Sequence, residues 1–281
     1  MKYDYPKVIE IQFNNKCNSN CLICPYKDMD YKYEKLDNSL FDKFLEEIDE
    51  EKLVRIIPYL NNEPFLDNDF LERVRKIRNK YPKLEIEISS NVSVIRKKDL
   101  EEMASMNITE LRLSVFGYSE ETYKKMMPGL NRNITFSKLK DISLILGNTS
   151  TVVSIVMIDN EEIEETEFEE MEKLCHQYGF NFERWGYLDR GNNVTYKSNN
   201  IHNPNVSMCE QNRPLERMHI LSNGNVILCC QDWKHSIILG NIRNNTIQEI
   251  WNSDKYNSVR ESLYNKKKVS PEICQKCKLG H

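Results

Sequence analysis

The 281-residue sequence predicts an α/β protein, an incomplete TIM-like (β/α)6 barrel followed by a small α+β segment organised by cysteines. Three observations lead there. Up to residue 190, six apolar runs of strand character alternate with amphipathic helical stretches, the order that a parallel sheet requires. A polar loop, Cys17-Asn18-Ser19-Asn20-Cys21-Leu22-Ile23-Cys24, follows the first run at the carboxyl end of a strand, where such sheets hold their ligands. Beyond that the alternation stops and Cys209, Cys229, Cys230, Cys274 and Cys277 punctuate the chain. The expected domains are therefore 1–190 and 191–281.

Each element has its own signal. Val8-Ile9-Glu10-Ile11-Gln12-Phe13 alternates at period two and reads as a buried strand. Residues 36–51 place Leu40, Phe41, Phe44, Leu45 and Ile48 at helical spacing, with Asp37 or Ser39 as N-cap. Strands are expected over 53–60, 84–89, 110–115, 151–158 and 180–187. Helices are expected over 68–80, 97–105, 120–127, 136–146 and 161–178. Residues 190–206 are rich in Asn and read as a connector. The stretch 219–229 reads as a hairpin turning at Asn223-Gly224, and 246–263 as a helix through Ile247, Ile250, Trp251 and Val259. The acidic run 161–172 reads as a solvated helix face, and Cys175, in register with Phe168, Met171 and Leu174, as core.

Composition narrows the class. Hydrophobic content of 40% with 29% charged residues describes a soluble globular protein with a sizeable core. A net charge of −4 offers no attraction to nucleic acid or to an anionic membrane, so neither is expected as a partner. No apolar run approaches the ~18 residues of a membrane span, and the N-terminus MKYDYPK lacks a signal peptide. Nine cysteines in such a chain point to the reducing cytoplasm and to metal rather than disulfides.

Three thiols within eight residues make no sensible disulfide set and fall one short of a closed zinc cage. They suit a four-iron cluster in which three irons take thiolates and the fourth stays open to a small molecule. A zinc knuckle or a chance grouping are the alternatives. The Cys-x3-Cys-x2-Cys spacing after a first strand resembles the radical S-adenosylmethionine (radical SAM) superfamily. The resemblance implies that the amino and carboxylate groups of SAM chelate the open iron of the Cys17, Cys21 and Cys24 cluster. It also implies that a reductant, an external donor such as flavodoxin or ferredoxin, drives cleavage of SAM to a 5′-deoxyadenosyl radical.

Further residues follow from the same resemblance. Asn61-Asn62-Glu63-Pro64 stands where the family usually has Gly-Gly-Glu-Pro, which gives Glu63 the SAM ammonium as partner. Asn tolerates a left-handed backbone, so the turn survives the loss of both glycines. Ile23 replaces the family's aromatic residue before the third cysteine. Ser89-Ser90-Asn91 takes the place of a common Thr-Asn-Gly motif, and Ser114 that of a ribose contact, although Ser and Asn at strand ends are also ordinary turn formers.

The C-terminal cysteines, with LGNI, EIW and Cys274-x2-Cys277, resemble the SPASM/twitch appendage of radical SAM enzymes. There four cysteines hold an auxiliary 4Fe–4S cluster, which implies Cys209, Cys229, Cys274 and Cys277 as ligands and two 4Fe–4S clusters in all. A zinc ribbon would use the same four thiols. If the hairpin strand runs through Cys229 and Cys230, their side chains point to opposite faces. Cys230 is then a buried small residue, an alternate ligand, or a thiol that returns a hydrogen atom to a substrate radical, as in epimerases of the family. Asp232 is a proton acceptor or a turn residue, and Arg190, Arg213, Arg217 and His219 are candidates to meet a polar substrate.

The expectation is a radical SAM oxidoreductase or epimerase. With strand one beginning within ten residues and no leader-binding module before it, the expected substrate is a sugar or aminocyclitol, or a short peptide. An iron–sulfur or zinc protein used for electron transfer or scaffolding is the alternative.

Overall fold

A computed structural model describes residues 4–198, 200–265 and 268–281; Asn199, within the expected connector, lies outside the described residues. The barrel elements come in the expected order. They are β1 (Val8–Ile11), α1 (Asn38–Glu46), β2 (Arg55–Ile57), α2 (Phe70–Lys80), β3 (Glu85–Ser90), α3 (Lys97–Ala104) and β4 (Glu110–Ser114). Next come α4 (Glu120–Met126), α5 (Arg132–Leu146), β5 (Val152–Asp159), α6 (Glu165–Tyr178) and β6 (Asn181–Gly186). The C-terminal part holds α7 (Arg213–Glu216), β7 (Arg217–Ile220), β8 (Asn225–Ile227), β9 (Ile238–Asn241), α8 (Ile247–Trp251), α9 (Asp254–Tyr264) and α10 (Glu272–Gln275).

Most boundaries follow from capping. Asp37 accepts from the Leu40 amide and starts α1. The Asn131 side chain accepts from Ile134 and starts α5 four residues before the apolar spacing begins. Gly179, left-handed at φ 72°, ends α6. The single helix expected over 246–263 is two, because Ser253 caps a new helix by accepting from Tyr256. At Gly224 (φ 85°) the hairpin turns as expected, and a Cβ there would meet Asn241 Oδ1 and Leu40 Cδ2 at 2.9 Å.

The chain forms two compact units. The first takes Met1–Asn15, Asp28–Asn61 and Leu188–His281, and the second Lys16–Lys27 and Asn62–Tyr187. Its later break, after Tyr187, falls close to the boundary expected at 190, but the N-terminal segments join the C-terminal ones.

In the first unit β1 pairs in parallel with both β2 and β7. β7, β8 and β9 then run antiparallel. The C-terminal hairpin thus extends the sheet begun by β1, with Glu10 opposite His219 in register. Its core includes Ile9, Ile11, Phe41, Phe44, Met218, Ile220 and Trp251, all buried. Arg260, itself buried, lies 4.1 Å from the Trp251 ring and 3.9 Å from that of Tyr256, and donates to the Trp251 and Pro214 carbonyls. That fixes α8 against α9 through one buried guanidinium.

In the second unit β3, β4, β5 and β6 form a parallel sheet. Ile86, Ile88, Leu111, Leu113, Ile155 and Met157 are buried along with helix residues Val74, Ile77, Met103, Leu139 and Phe168. Alternation puts Glu87, Ser89, Arg112, Ser114, Ser154 and Glu183 on the other face. Cys175 is core, as expected, and burial pushes its thiol up to about 12. The acidic run is largely solvated, but Glu167 turns inward to accept from the Tyr118 and Ser119 amides and from Thr122, which anchors the start of α4. Among the described residues no helix is long and apolar enough to cross a membrane.

Candidate iron–sulfur and cofactor sites

The second unit assembles the loop of Cys17, Cys21 and Cys24 from backbone ties. The Leu22 amide donates to Met126 and that of Asn20 to Pro128, while the Glu63 amide donates to Lys16. Asn18 accepts from Asn91 Nδ2 and donates to Ser93 Oγ, both at 2.9 Å. Ser19 Oγ lies 2.9 Å from Cys21 Sγ, and the Cys17 amide donates to the Tyr26 hydroxyl. Ile23, in the place of an aromatic residue, is buried.

Glu63 is 2% exposed and accepts three hydrogen bonds: Phe65 N at 3.2 Å and Ser90 Oγ at 2.8 Å on Oε1, and Asn91 N at 2.7 Å on Oε2. Burial pushes its carboxyl up to about 7 against the pull of those three donors. Lys138, which donates to the Ser93 carbonyl, also draws it down. Glu63 is near enough to Cys17 for its charge to act on that thiol. Burial first, then Glu63 and Cys24, push Cys17 up to about 12. Burial, Cys24 and Cys17 likewise raise Cys21 well above the usual thiol range.

After β3, Ser90 Oγ and the Asn91 amide bond Glu63, and Val92 has φ 70°. A left-handed valine is strained, because both γ-methyls crowd the backbone. Val92 is fully buried, and its amide donates to Ser90 Oγ. Neither Asn61 nor Asn62 has a positive φ, so the turn before Glu63 does not use the tolerance expected of them. Ser89 and Ser114 lie on the sheet face that carries Arg112.

Do these thiols fit a cluster rather than zinc? A tetrahedral zinc with Zn–S of about 2.3 Å needs its sulfurs about 3.8 Å apart. Among the described residues, the one group of three or more such donors within 4.8 Å of one another is Glu10, His219 and Cys230. The early three feel one another's charge but are not drawn in to zinc spacing. A soft, three-sulfur donor set with a buried carboxylate beside it suits a four-iron cluster with a position left for an ammonium-bearing ligand.

The first unit gathers the later thiols. Cys209 bridges Gly280 through the backbone, and α10 carries Cys274 three residues before Cys277. Burial, Cys277 and Cys209 push Cys274 above the usual thiol range, and burial and Cys209 raise Cys277. Cys277 also accepts from the Leu279 amide at 3.4 Å.

Cys229 and Cys230 do not sit on opposite faces. β8 ends at Ile227, so strand alternation stops before them, and Arg213 Nη1 reaches both sulfurs, at 3.7 Å and 2.8 Å. The two thiols hydrogen-bond to each other. The bond between them pushes Cys229 well up and Cys230 well down, with Arg213 favouring the thiolate on Cys230 against burial. His219 stands by the same sulfur and 3.4 Å from Glu10. Burial depresses its imidazolium, yet Glu10 and Cys230 raise it to about 9. Arg217 donates to Glu10 at 3.2 Å, and the Gln231 amide, turned to satisfy both, accepts from Arg190 at 2.9 Å and Arg213 at 3.1 Å. Of the four basic residues, Arg213 and His219 therefore meet Cys230 directly. Asp232 is a turn residue: it is 1% exposed and accepts from Ser236 N, Ser236 Oγ and Ile237 N.

The sequence model of the radical SAM superfamily matches residues 11–171, more than half the chain, and that of an iron–sulfur cluster-binding domain, SPASM, matches residues 209–278. The chain belongs to the radical SAM superfamily of enzymes and carries a C-terminal SPASM domain. It is 21% identical over 272 residues to the S-adenosyl-L-methionine-dependent 2-deoxy-scyllo-inosamine dehydrogenase of Niallia circulans, covering 96% of this chain and 92% of that one. It is 25% identical over 118 residues to the putative peptide biosynthesis protein YydG of Bacillus subtilis (strain 168), 41% of this chain and only 37% of that relative. The match thus spans little more than a third of YydG. Among solved structures it is similar to BtrN in complex with AdoMet and 2-DOIA (TM-score 0.65, 18% identity, 99% of this chain and 94% of that one). It is also similar to Streptococcus suis SuiB bound to precursor peptide SuiA (TM-score 0.76, 14% identity, 98% and 70%). The fold is the partial barrel with a SPASM-type appendage.

Proposed function

We propose that the chain binds two 4Fe–4S clusters and uses SAM to take a hydrogen atom from a carbon of a small polar substrate, a sugar or aminocyclitol or a short peptide. The observation that carries this reading is Glu63: a buried carboxylate, oriented by Ser90, Asn91 and Phe65, whose charge reaches Cys17. When bound, a reduced cluster with SAM supplies hydrogen-atom abstraction from an unactivated carbon.

The chain's own residues do the rest. Cys17, Cys21 and Cys24 would hold three irons, and Glu63 would accept hydrogen bonds from the ammonium of SAM. Asn91 fixes the loop through Asn18, and Ser89 and Ser114 present hydroxyls on the sheet face. Cys209, Cys229, Cys274 and Cys277 would hold the auxiliary cluster. The functional division then follows residues 1–190 and 191–281, which the matched spans support. An external electron donor such as flavodoxin or ferredoxin, and the cytoplasm as compartment, belong to the same reading.

Oxidation is the first outcome. The full-length likeness to a dehydrogenase leans this way. Epimerisation, with Cys230 as donor, is favoured by one feature: the Cys230 sulfur, not that of Cys229, sits with His219 and Glu10 in a buried polar group that can hold its proton.

The test is anaerobic reconstitution with SAM and dithionite. Release of 5′-deoxyadenosine by protein carrying ~8 Fe, the sum of two four-iron clusters, supports the reading. An iron-loaded protein that releases none is an electron carrier or scaffold. In heavy water, a product two hydrogens lighter marks oxidation and one deuterium on an inverted carbon marks epimerisation. If Cys230→Ala inverts its substrate at the wild-type rate, Cys230 is not the donor.

A further inference from the structure

The face of the second unit's sheet that carries Arg112 holds an ion network that the cofactor chemistry does not use. Arg112, in β4, is its centre. Its Nη1 donates to Glu87 Oε1 of β3 at 2.6 Å, and its Nε lies 2.9 Å from Glu110 Oε1 and 3.7 Å from Glu183 Oε1 of β6. One guanidinium therefore faces three carboxylates. Glu183 is the least neutralised: its Oε1 has the longest of the three ion-pair distances, and its Oε2 accepts from Trp185 Nε1 at 2.8 Å.

Two further features of this face bear on a ligand. Ser154, on β5, stands opposite Arg112 in register and is 1% exposed, and its Oγ has no hydrogen-bond partner among the described residues. A buried hydroxyl without a partner is costly, so its place calls for a group that completes it. Trp185, near the carboxyl end of β6, is 42% exposed. It lies 5.3 Å from the Arg112 guanidinium, so the indole already serves as a cation-binding surface. In parallel sheets the carboxyl ends of strands are where ligands bind.

We propose that this face recognises an ammonium group of the substrate, held by the Glu183 carboxylate, the Trp185 ring and the Ser154 hydroxyl, with Arg112 positioning Glu183. The inference rests on the proposed function for the presence of a substrate, and adds its charge. The ammonium belongs either to an amine-bearing cyclitol or to a lysine side chain of a peptide.

Calorimetric titration of the reconstituted, SAM-loaded protein tests it with four probes. These are 2-deoxy-scyllo-inosamine and the same cyclitol with a hydroxyl in place of the amine, and a short lysine peptide with its N-acetyllysine counterpart. The expected result is that one amine probe binds about 10- to 100-fold more tightly than its neutral counterpart, the range of one charge-assisted contact. Which pair shows the gap identifies the source of the ammonium. Glu183→Gln is expected to close the gap, and Ser154→Ala to narrow it while sparing the ion network. No gap with either pair, or a gap unchanged in Glu183→Gln of native circular dichroism, overturns the proposal. Dithionite-driven SAM cleavage by the wild-type protein without probe is read separately, so a failure of the radical SAM reading is not mistaken for a failure of this one.

Discussion

The two thiol clusters solve opposite electrostatic problems. In the second unit, burial raises Cys17 and Cys21, Cys24 acts on both and Cys17 on Cys21, and the carboxylate that acts on Cys17 is Glu63. In the first unit, the Cys229–Cys230 pair meets a guanidinium at 2.8 Å and a histidine raised to about 9. A three-thiol set with an anion beside it leaves room for a ligand that brings its own positive charge. A set with enough thiols to close a cluster carries its own cation instead. Under the proposed function, the difference teaches that an incomplete ligand set would be matched by the residue that recognises the missing ligand.

The largest expected effect breaks the first cluster. Cys21→Ala should remove ~4 of ~8 Fe and lower 5′-deoxyadenosine release by at least ~1,000-fold, because a two-thiol site cannot hold the cluster. Cys274→Ala should also remove ~4 Fe yet keep SAM cleavage in the absence of substrate. Iron analysis and chromatography of the products decide both, and equal losses of cleavage in the two variants would erase the distinction between the clusters.

Next in size is Glu63→Gln, which loses the charge and keeps one acceptor oxygen, enough for Ser90 and Phe65 or for Asn91 but not for both sides. SAM affinity should fall about 10- to 100-fold with iron content unchanged. The pH dependence sharpens this. A carboxyl raised from 4.5 to about 7 binds more protons folded than unfolded, so the SAM-free protein loses stability as pH rises from 4.5 to about 7. SAM affinity should rise over the upper part of the same window, as the carboxylate forms. Denaturant titrations and binding measured between pH 5 and 8 should show both slopes in the wild type and neither in Glu63→Gln, each pH being a choice set by the ordinary and raised values.

The smallest effect concerns Val92. Ile88→Ala, in the buried heart of β3, should cost about 2–5 kcal/mol. Val92→Gly removes an equally buried side chain but relieves a left-handed valine worth about 1–2 kcal/mol, so its net cost should stay within about 1 kcal/mol. Chemical denaturation checks this, and equal costs would mean that Val92 is unstrained.

Much of this was legible in the residues. Runs such as Leu84-Glu85-Ile86-Glu87-Ile88 and Thr151 to Ile158 marked the strands, and the three early cysteines and Glu63 marked the cofactor site. What stayed hidden had no local signature. β9 carries Gly240 and Asn241 and takes its strand form from pairing with β8. Val92 gives no sign of the left-handed backbone it adopts. Glu10 looks like the polar half of an alternating strand, and only pairing with β7 brings it to His219. The positions of Cys229 and Cys230 depend on where β8 ends, which sequence periodicity places to within a few residues at best.

The most direct measurement is Mössbauer spectroscopy of 57Fe-reconstituted Cys274→Ala protein, which isolates the first cluster, with and without SAM. The account predicts that one iron in four changes its isomer shift when SAM is added, and that Glu63→Gln needs more SAM to reach the same change. Four equivalent irons indifferent to SAM, or zinc in place of iron, would contradict it.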